Sequence, residues 1–423
     1  MSEPGFAHAA VKATVMLRAA FRRSRSRRYE PLQDYGIFGP DSVAWRVWTY
    51  PTAPTVAISR AVVVEELDPF LTATVNTTGR IYNQAPVRLE RTIHYFATIA
   101  FGDSHSAAKA SEMLMKVHSR AGCVEPVSGV WSDPNSPEEQ LWILVTGWHS
   151  VLYAYELYGP GKLSDEDERR YWAGCAKAAE FQTIDPATVP RSREEVREYF
   201  ERMRPRLAAS EATQRAIQHL MNADVFLPHM PALMAPLTWP ARWLLRAGVI
   251  RMLPHWQRDL ANTHQSKVTD WLIRPILRLS FVVLARPKLS MVALEFLSPS
   301  TVPIAGPALL GIPPVSEETL TPAQAFARHG IATPAELYGQ FKADQKTVIH
   351  APSAPLPRES DTPAPRTGYA AATTRQAVAV NQPPTESEEL TRSGPLPIQR
   401  ARPRVQPVRG SRPRHGARFG CVR

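Results

Sequence analysis

From residue 86 onward the apolar residues of this chain recur at spacings of three and four, and nowhere do they alternate over a run long enough to form one face of a sheet. That periodicity constrains the fold more than anything else in the sequence. Helices with apolar stripes bury them against other helices, so the body is expected to be all-α, an irregular helical bundle. One helix is predicted over 86–101, with Val87, Ile93, Phe96, Ala97 and Ala100 on its apolar side and Gly102 as its stop. The next opens at Asp103 or Ser104, either able to cap free N–H groups, and runs to Ala121 before Gly122. A third spans 137–157 and ends at Gly159-Pro160. Ser164 with Asp167, and Ser192 with Glu195, are capping-box patterns at the start of two more. Further helical segments are predicted near 208–222, 238–251 and 255–285. Strand signals are confined to 55–58 and 62–64, with no hairpin partner, and no internal repeat is found.

Composition adds the limits of the body. With 44% hydrophobic and 21% charged residues, the 423-residue chain can build a large core, which excludes disorder throughout. The net charge of +11 sits at the ends. Residues 1–28 carry Lys12 and six Arg against Glu3, and residues 391–423 carry nine Arg and no acid, which leaves the stretch between them slightly acidic. A specific nucleic-acid-binding domain is therefore not expected. The last 73 residues hold 12 of the 40 prolines and two aromatics, Tyr369 and Phe419. The chain divides into a basic arm (1–28), a helical body (29–300), a short helical extension (301–345) and a disordered Pro/Arg-rich tail (346–423). Cys123, Cys175 and Cys421 are too few and too scattered for a disulfide framework or a zinc cluster, which suits a reducing, cytoplasmic setting. The first residues place charge after a weakly apolar stretch, the reverse of a secretory signal, and the longest apolar run, 279–285, is far short of a membrane span.

Whole reaction classes lack their motifs. The sequence contains no GxGxxG after a strand, no GxxxxGK[ST], no GxSxG, no HExxH, no CxxCH and no Glu-x-x-His pair. What remains for a helical body is a cofactor or lipid pocket between helices, with histidine as the natural metal ligand. His118 has Leu114 and Met115 one turn before it, so it faces the apolar side of its helix; it is either a core histidine bonded to a backbone carbonyl or a ligand to iron. His149 shares the apolar and aromatic face of Trp142, Thr146 and Tyr153 and carries the same two readings. Arg88 and Thr92, four residues apart, lie on one helix face. A guanidinium directed inward needs an anion, either a protein carboxylate or an external group such as a haem propionate or a phosphate.

Five stretches in order carry a resemblance: YGIFGPDSVAWRVWTYPTAP, RAVVVEELDPFLTATV, APVRLERTIHYFATIAFGDSHSAAKASEMLMKVHSRAG, LWILVTGWHSVLYAYELYGPGKLSDEDERRYW and VPRSREEVREYFERMRP. Together, over about 35–286, they are similar to the family of latex-clearing rubber oxygenases and MpaB-type oxygenases. The resemblance implies an all-helical, globin-like bundle holding one b-type haem through the histidine of the V-H motif, here His118. It also implies that Arg88 and Thr92, matching the family's R-x-x-x-T motif, line the haem pocket as catalytic and cofactor-binding residues; His149, from its place on an apolar helix face, is a second candidate ligand. The family's proposed base is a glutamate upstream of the Arg. Thr72 and Ala73 stand at that distance here, Glu65 and Glu66 lie about six residues earlier, and the role is left without a residue. Where the family has a lysine able to cap the iron, this chain has Arg91, too basic to ligate.

The function so implied is a haem b-dependent oxygenase acting with O2 on an apolar, isoprenoid-type substrate. The alternative is a haem- or lipid-binding helical protein without turnover. A third possibility is a structural adaptor whose Arg-rich ends meet acidic membrane surfaces.

Overall fold

The helix signals of the sequence become helices in the computed structural model, which describes residues 29–77, 85–221 and 235–350. Helix α1 (Val43–Trp48) starts at Ser42, whose hydroxyl accepts the Trp45 N–H. A π-type turn (Ala53–Ala57) runs directly into α2 (Ile58–Glu65), followed by α3 (Pro69–Thr77). Then come α4 (Ala85–Phe101) and α5 (Ser104–His118), the latter capped by the Asp103 carboxylate on the Ser106 N–H. The strand signals at 55–58 and 62–64 are overturned: both stretches are helical. Val56, Ile58, Val63 and Val64 are buried all round, so no 3.6-residue stripe marks the helix, and their β-branched side chains imitate a strand. Among the described residues the one sheet is an antiparallel pair, β1 (Cys123–Val124) and β2 (Trp131–Ser132).

Helix α6 (Pro137–Tyr158) is the axis of the bundle. Ser136 caps it, Pro137 opens it, and Glu138 and Glu139 complement the exposed N–H groups of its first turn. It is apolar on nearly every side because α2, α7 (Asp165–Ala179) and α12 (Lys267–Leu284) surround it. Trp142, Trp148 and Tyr158 of α6 are fully buried beside Tyr171 and Trp172 of α7. The remaining helices are α8 (Arg193–Met203), α9 (Glu211–Met221), α10 (Ala235–Arg251), α11 (His255–Leu260), α13 (Pro287–Leu297), α14 (Val302–Leu310), α15 (Pro322–His329) and α16 (Pro334–His350). The helix predicted over 255–285 is broken in two because Asn262 takes a left-handed φ of 48° and Ser266 caps a fresh start. Helices α15 and α16 pack against α5. The basic arm and the tail from residue 351 lie outside the described residues, and 346–350 complete α16 rather than belonging to a tail.

Candidate functional site

A cleft of about 50 Å³ opens between α2, α4, α9 and α10, and its polar lining comes from Ser59, Glu65, Glu66, Arg88, Thr92 and Arg246. The two acids follow the apolar run 61–64 at the end of α2, so the helix carries both into the interior. Glu66 is fully buried, and its Oε1 lies 3.9 Å from Arg88 Nη2, an ion pair without a hydrogen bond. The Thr72 hydroxyl donates to the Glu66 backbone carbonyl at 2.6 Å and approaches its carboxylate at 3.4 Å. Of the two anions that Arg88 was expected to meet, the structure supplies the protein carboxylate. Thr92 lines the same cleft, but its hydroxyl donates to the Arg88 carbonyl at 3.0 Å, within its own helix.

Glu65 points to α6, where the Thr146 hydroxyl meets its Oε1 at 3.1 Å. Burial pushes its pKa up to about 7, against the opposing pull of Thr146 and of the Arg88 charge. Burial raises Glu66 as well, with Arg88 opposing. Both acids were set aside on linear spacing, which misleads here because α3 intervenes and chain distance does not measure separation in space. Two carboxylates closing an apolar run were the available signal, since such groups are rarely buried without a role. Arg246 had no comparable signal. Its Nη2 donates to Gln218 Oε1 at 2.9 Å, its Nη1 is buried without a partner among the described residues, and burial lowers its pKa.

His118 closes α5 at intermediate depth, with Nδ1 3.1 Å from the Pro134 carbonyl. Asn135 braces that turn by donating to the Met115 carbonyl at 2.9 Å. Burial in packed protein pushes the imidazole down to about 4, and the nearby Arg88 charge lowers it further, so the ring is neutral at pH 7. A carbonyl can only accept, so Nδ1 carries the proton and Nε2 keeps its lone pair. His149 does not join this group. Its Nδ1 accepts from Arg60 Nη1 at 3.3 Å, which puts its proton on Nε2 and leaves neither nitrogen free to ligate; it lines a separate cavity between α2, α6 and α8.

In an all-helical protein the cleft thus gathers two buried acids, Arg88, Thr92 and Arg246, while His118, which feels the Arg88 charge, is not among its lining residues. The chain matches the family described as ER-bound oxygenase mpaB/B′ and rubber oxygenase, catalytic domain, over residues 45–286. It belongs to that family. No curated protein and no solved structure matches it.

Proposed function

We propose that the chain is a haem b-dependent oxygenase that acts with O2 on an apolar, isoprenoid-type substrate. The observation that carries this reading is His118, with its Nδ1 anchored on a carbonyl, its Nε2 lone pair uncommitted among the described residues, and the Arg88 charge acting on it from the edge of the cleft. The donor set suits a haem. A metal-binding imidazole is neutral and turns its second nitrogen to a carbonyl or carboxylate, as His118 does. Arg246, with its unpartnered Nη1 in the cleft, suits a propionate. The space between the described walls is much smaller than a macrocycle, so binding requires the walls of the cleft to part. Bound there, the iron supplies the O2 activation that no side chain provides.

Within that frame Glu65 holds or accepts a proton at neutral pH, the Thr146 hydroxyl fixes its orientation, and Arg88 steadies the charge of Glu66. Arg88 and Thr92 keep their roles as pocket residues. Glu65 in the cleft offers a base, which supports turnover over a non-catalytic binding protein. An apolar groove lined by Trp48, Ile93, Phe96, Ala97 and Leu294 on the flank of α4 suits an apolar substrate and excludes water from it.

Contact with an acidic membrane surface belongs to the same reading. The Arg-rich ends lie outside the described residues, but α12 offers a second route: Val268, Trp271, Ile276, Leu279 and Val282 form an exposed stripe interleaved with Arg274 and Arg278. Free, buried Cys123 and Cys175 suit the cytoplasmic, reducing setting. Oxygen uptake by haem-supplied protein on addition of a polyisoprenoid tests the reaction. Uptake dependent on both haem and substrate is expected, and a haem-loaded protein inert to polyisoprenoids would overturn the proposed substrate class.

A further inference from the structure

The largest of the cavities described, about 490 Å³, lies on the other side of α2 from the cleft, walled by α6, α7, α8 and the turn from α10 into α11. Its walls combine apolar side chains such as Leu152, Phe200 and Trp256 with an unusual concentration of arginine. The acids there are mostly engaged. Arg193 bridges Glu156 and Glu168 at 2.8 and 2.6 Å, and Arg258 pairs with Asp270 at 2.9 Å. Two cations are left over. Arg60 is 3% exposed, and its guanidinium meets only neutral groups: Nε donates to the Met252 carbonyl at 3.2 Å, Nη1 to the Ser150 hydroxyl at 2.6 Å and to His149, and its carbon lies 5.6 Å from the centre of the Tyr153 ring. No ion pair joins it to a carboxylate among the described residues; the cavity's carboxylates Glu156, Glu168 and Asp270 pair with Arg193 and Arg258 instead. Arg251, on the same cavity, makes no ion pair among the described residues and has its Nε buried without a partner; its charge reaches Asp270 only through space, behind Arg258.

A buried guanidinium without a counter-charge is expensive, several kcal/mol by general estimates, and hydrogen bonds to neutral groups offset only part of that cost. Arg60 nonetheless sits where α2, α6 and the end of α10 meet, at the wall of a cavity large enough for a small organic ligand. Because Nδ1 of His149 is taken by Arg60, its Nε2–H is a donor, so the site adds a neutral donor to its two unmatched cations. We infer that this cavity binds an amphiphilic carboxylate, its anionic head between Arg60 and Arg251 and its apolar body along Leu152, Phe200 and Trp256. The inference does not rest on haem binding: none of these residues lines the Glu65–Arg88 cleft.

Octanoate is the probe, with octanol and inorganic phosphate as the two halves of its chemistry, read by calorimetry and by the fluorescence of the full chain, since Trp172 and Trp256 line the cavity. Octanoate is expected to bind with a Kd on the order of a few hundred micromolar, a reasonable figure for a ligand of its size. Octanol should bind at least tenfold more weakly, and phosphate should compete poorly. Arg251→Gln, at intermediate depth and safer for folding than any change at Arg60, should weaken octanoate roughly tenfold, the loss of about one charge-assisted hydrogen bond. Arg169→Gln, on the exposed face of α7, should not. Absence of octanoate binding, equal binding of octanol, full competition by phosphate, or an unchanged Kd in Arg251→Gln would each overturn the assignment.

Discussion

Glu65 keeps its proton to about pH 7 where an unfolded chain releases it near 4.5, so the fold gains from this residue below pH 4.5 and loses that gain as pH rises through 7, about 3 kcal/mol in all for a shift of this size. His118 runs the other way. Its folded value of about 4 lies below the unfolded 6.5, so its contribution is present above 6.5 and is lost as pH falls through 4. Between about pH 5 and about pH 6.5 the two slopes oppose one another. Glu65→Gln removes one and leaves the other, so its melting temperature should climb more steeply with pH than that of the parent chain; parallel profiles would contradict the burial-driven shift. Arg88 is a different case. Its side chain is 39% exposed and its pair with Glu66 lacks a hydrogen bond, while Glu66 can take up a proton once the pair is lost. Arg88→Ala should therefore cost about 1 kcal/mol or less of stability. Haem retention and oxygen uptake should fall far more, and a large loss of stability with normal haem retention would mark Arg88 as a structural residue.

At the scale of elements, the helices legible in the sequence are those that present one face to the core and carry caps at their starts. Helices α5, α7 and α8 begin at the Asp or Ser read as a cap, each side chain accepting a backbone N–H three residues on, and α6 begins the same way at Ser136, which the sequence reading did not single out. What failed was α2, buried on several sides, where no periodicity survives and β-branched residues dominate. The same failure hid half of the site. Arg88, Thr92 and His118 were reached through periodicity and family motifs, whereas Glu65, Glu66 and Arg246 come together only through the packing of α2 against α9 and α10. Packing also explains why the segment before α1 matters. The Asp34 carboxylate accepts the N–H groups of Gly36 and Ser104, both at 2.7 Å, and the Ser104 hydroxyl, which ties that segment to the start of α5. Gly36 has φ of 63°, and a Cβ there would collide with the Gly102 carbonyl. Gly36→Ala should lower stability by about 2 kcal/mol or more, from left-handed strain and displaced backbone together. A melting temperature within a degree or so of the parent would show that the segment contributes little to the fold.

Among the described residues, exposed apolar surface is gathered on α12. The described body buries its aromatic residues around α6, yet α12 keeps Trp271 at 74% and Leu279 at 68% exposed, and no described helix is long and apolar enough to cross a membrane. A surface of that kind suits a helix lying in a lipid interface, with Arg274 and Arg278 toward anionic headgroups. Sedimentation with vesicles containing phosphatidylserine should recover the parent chain, and Trp271→Glu with Leu279→Glu should release it while circular dichroism stays unchanged; equal recovery of both would remove α12 from the membrane contact. Such a contact would let an apolar substrate pass from a lipid phase toward the groove on α4 without crossing water. The haem assignment stands before all of this, and the visible spectrum tests it most directly. Titrated with haem, the parent chain should develop a stoichiometric Soret band, and His118→Ala, equally helical by circular dichroism, should lose most of it. A parent chain that takes up no haem, or a His118→Ala variant with the parent's full band, would contradict the assignment.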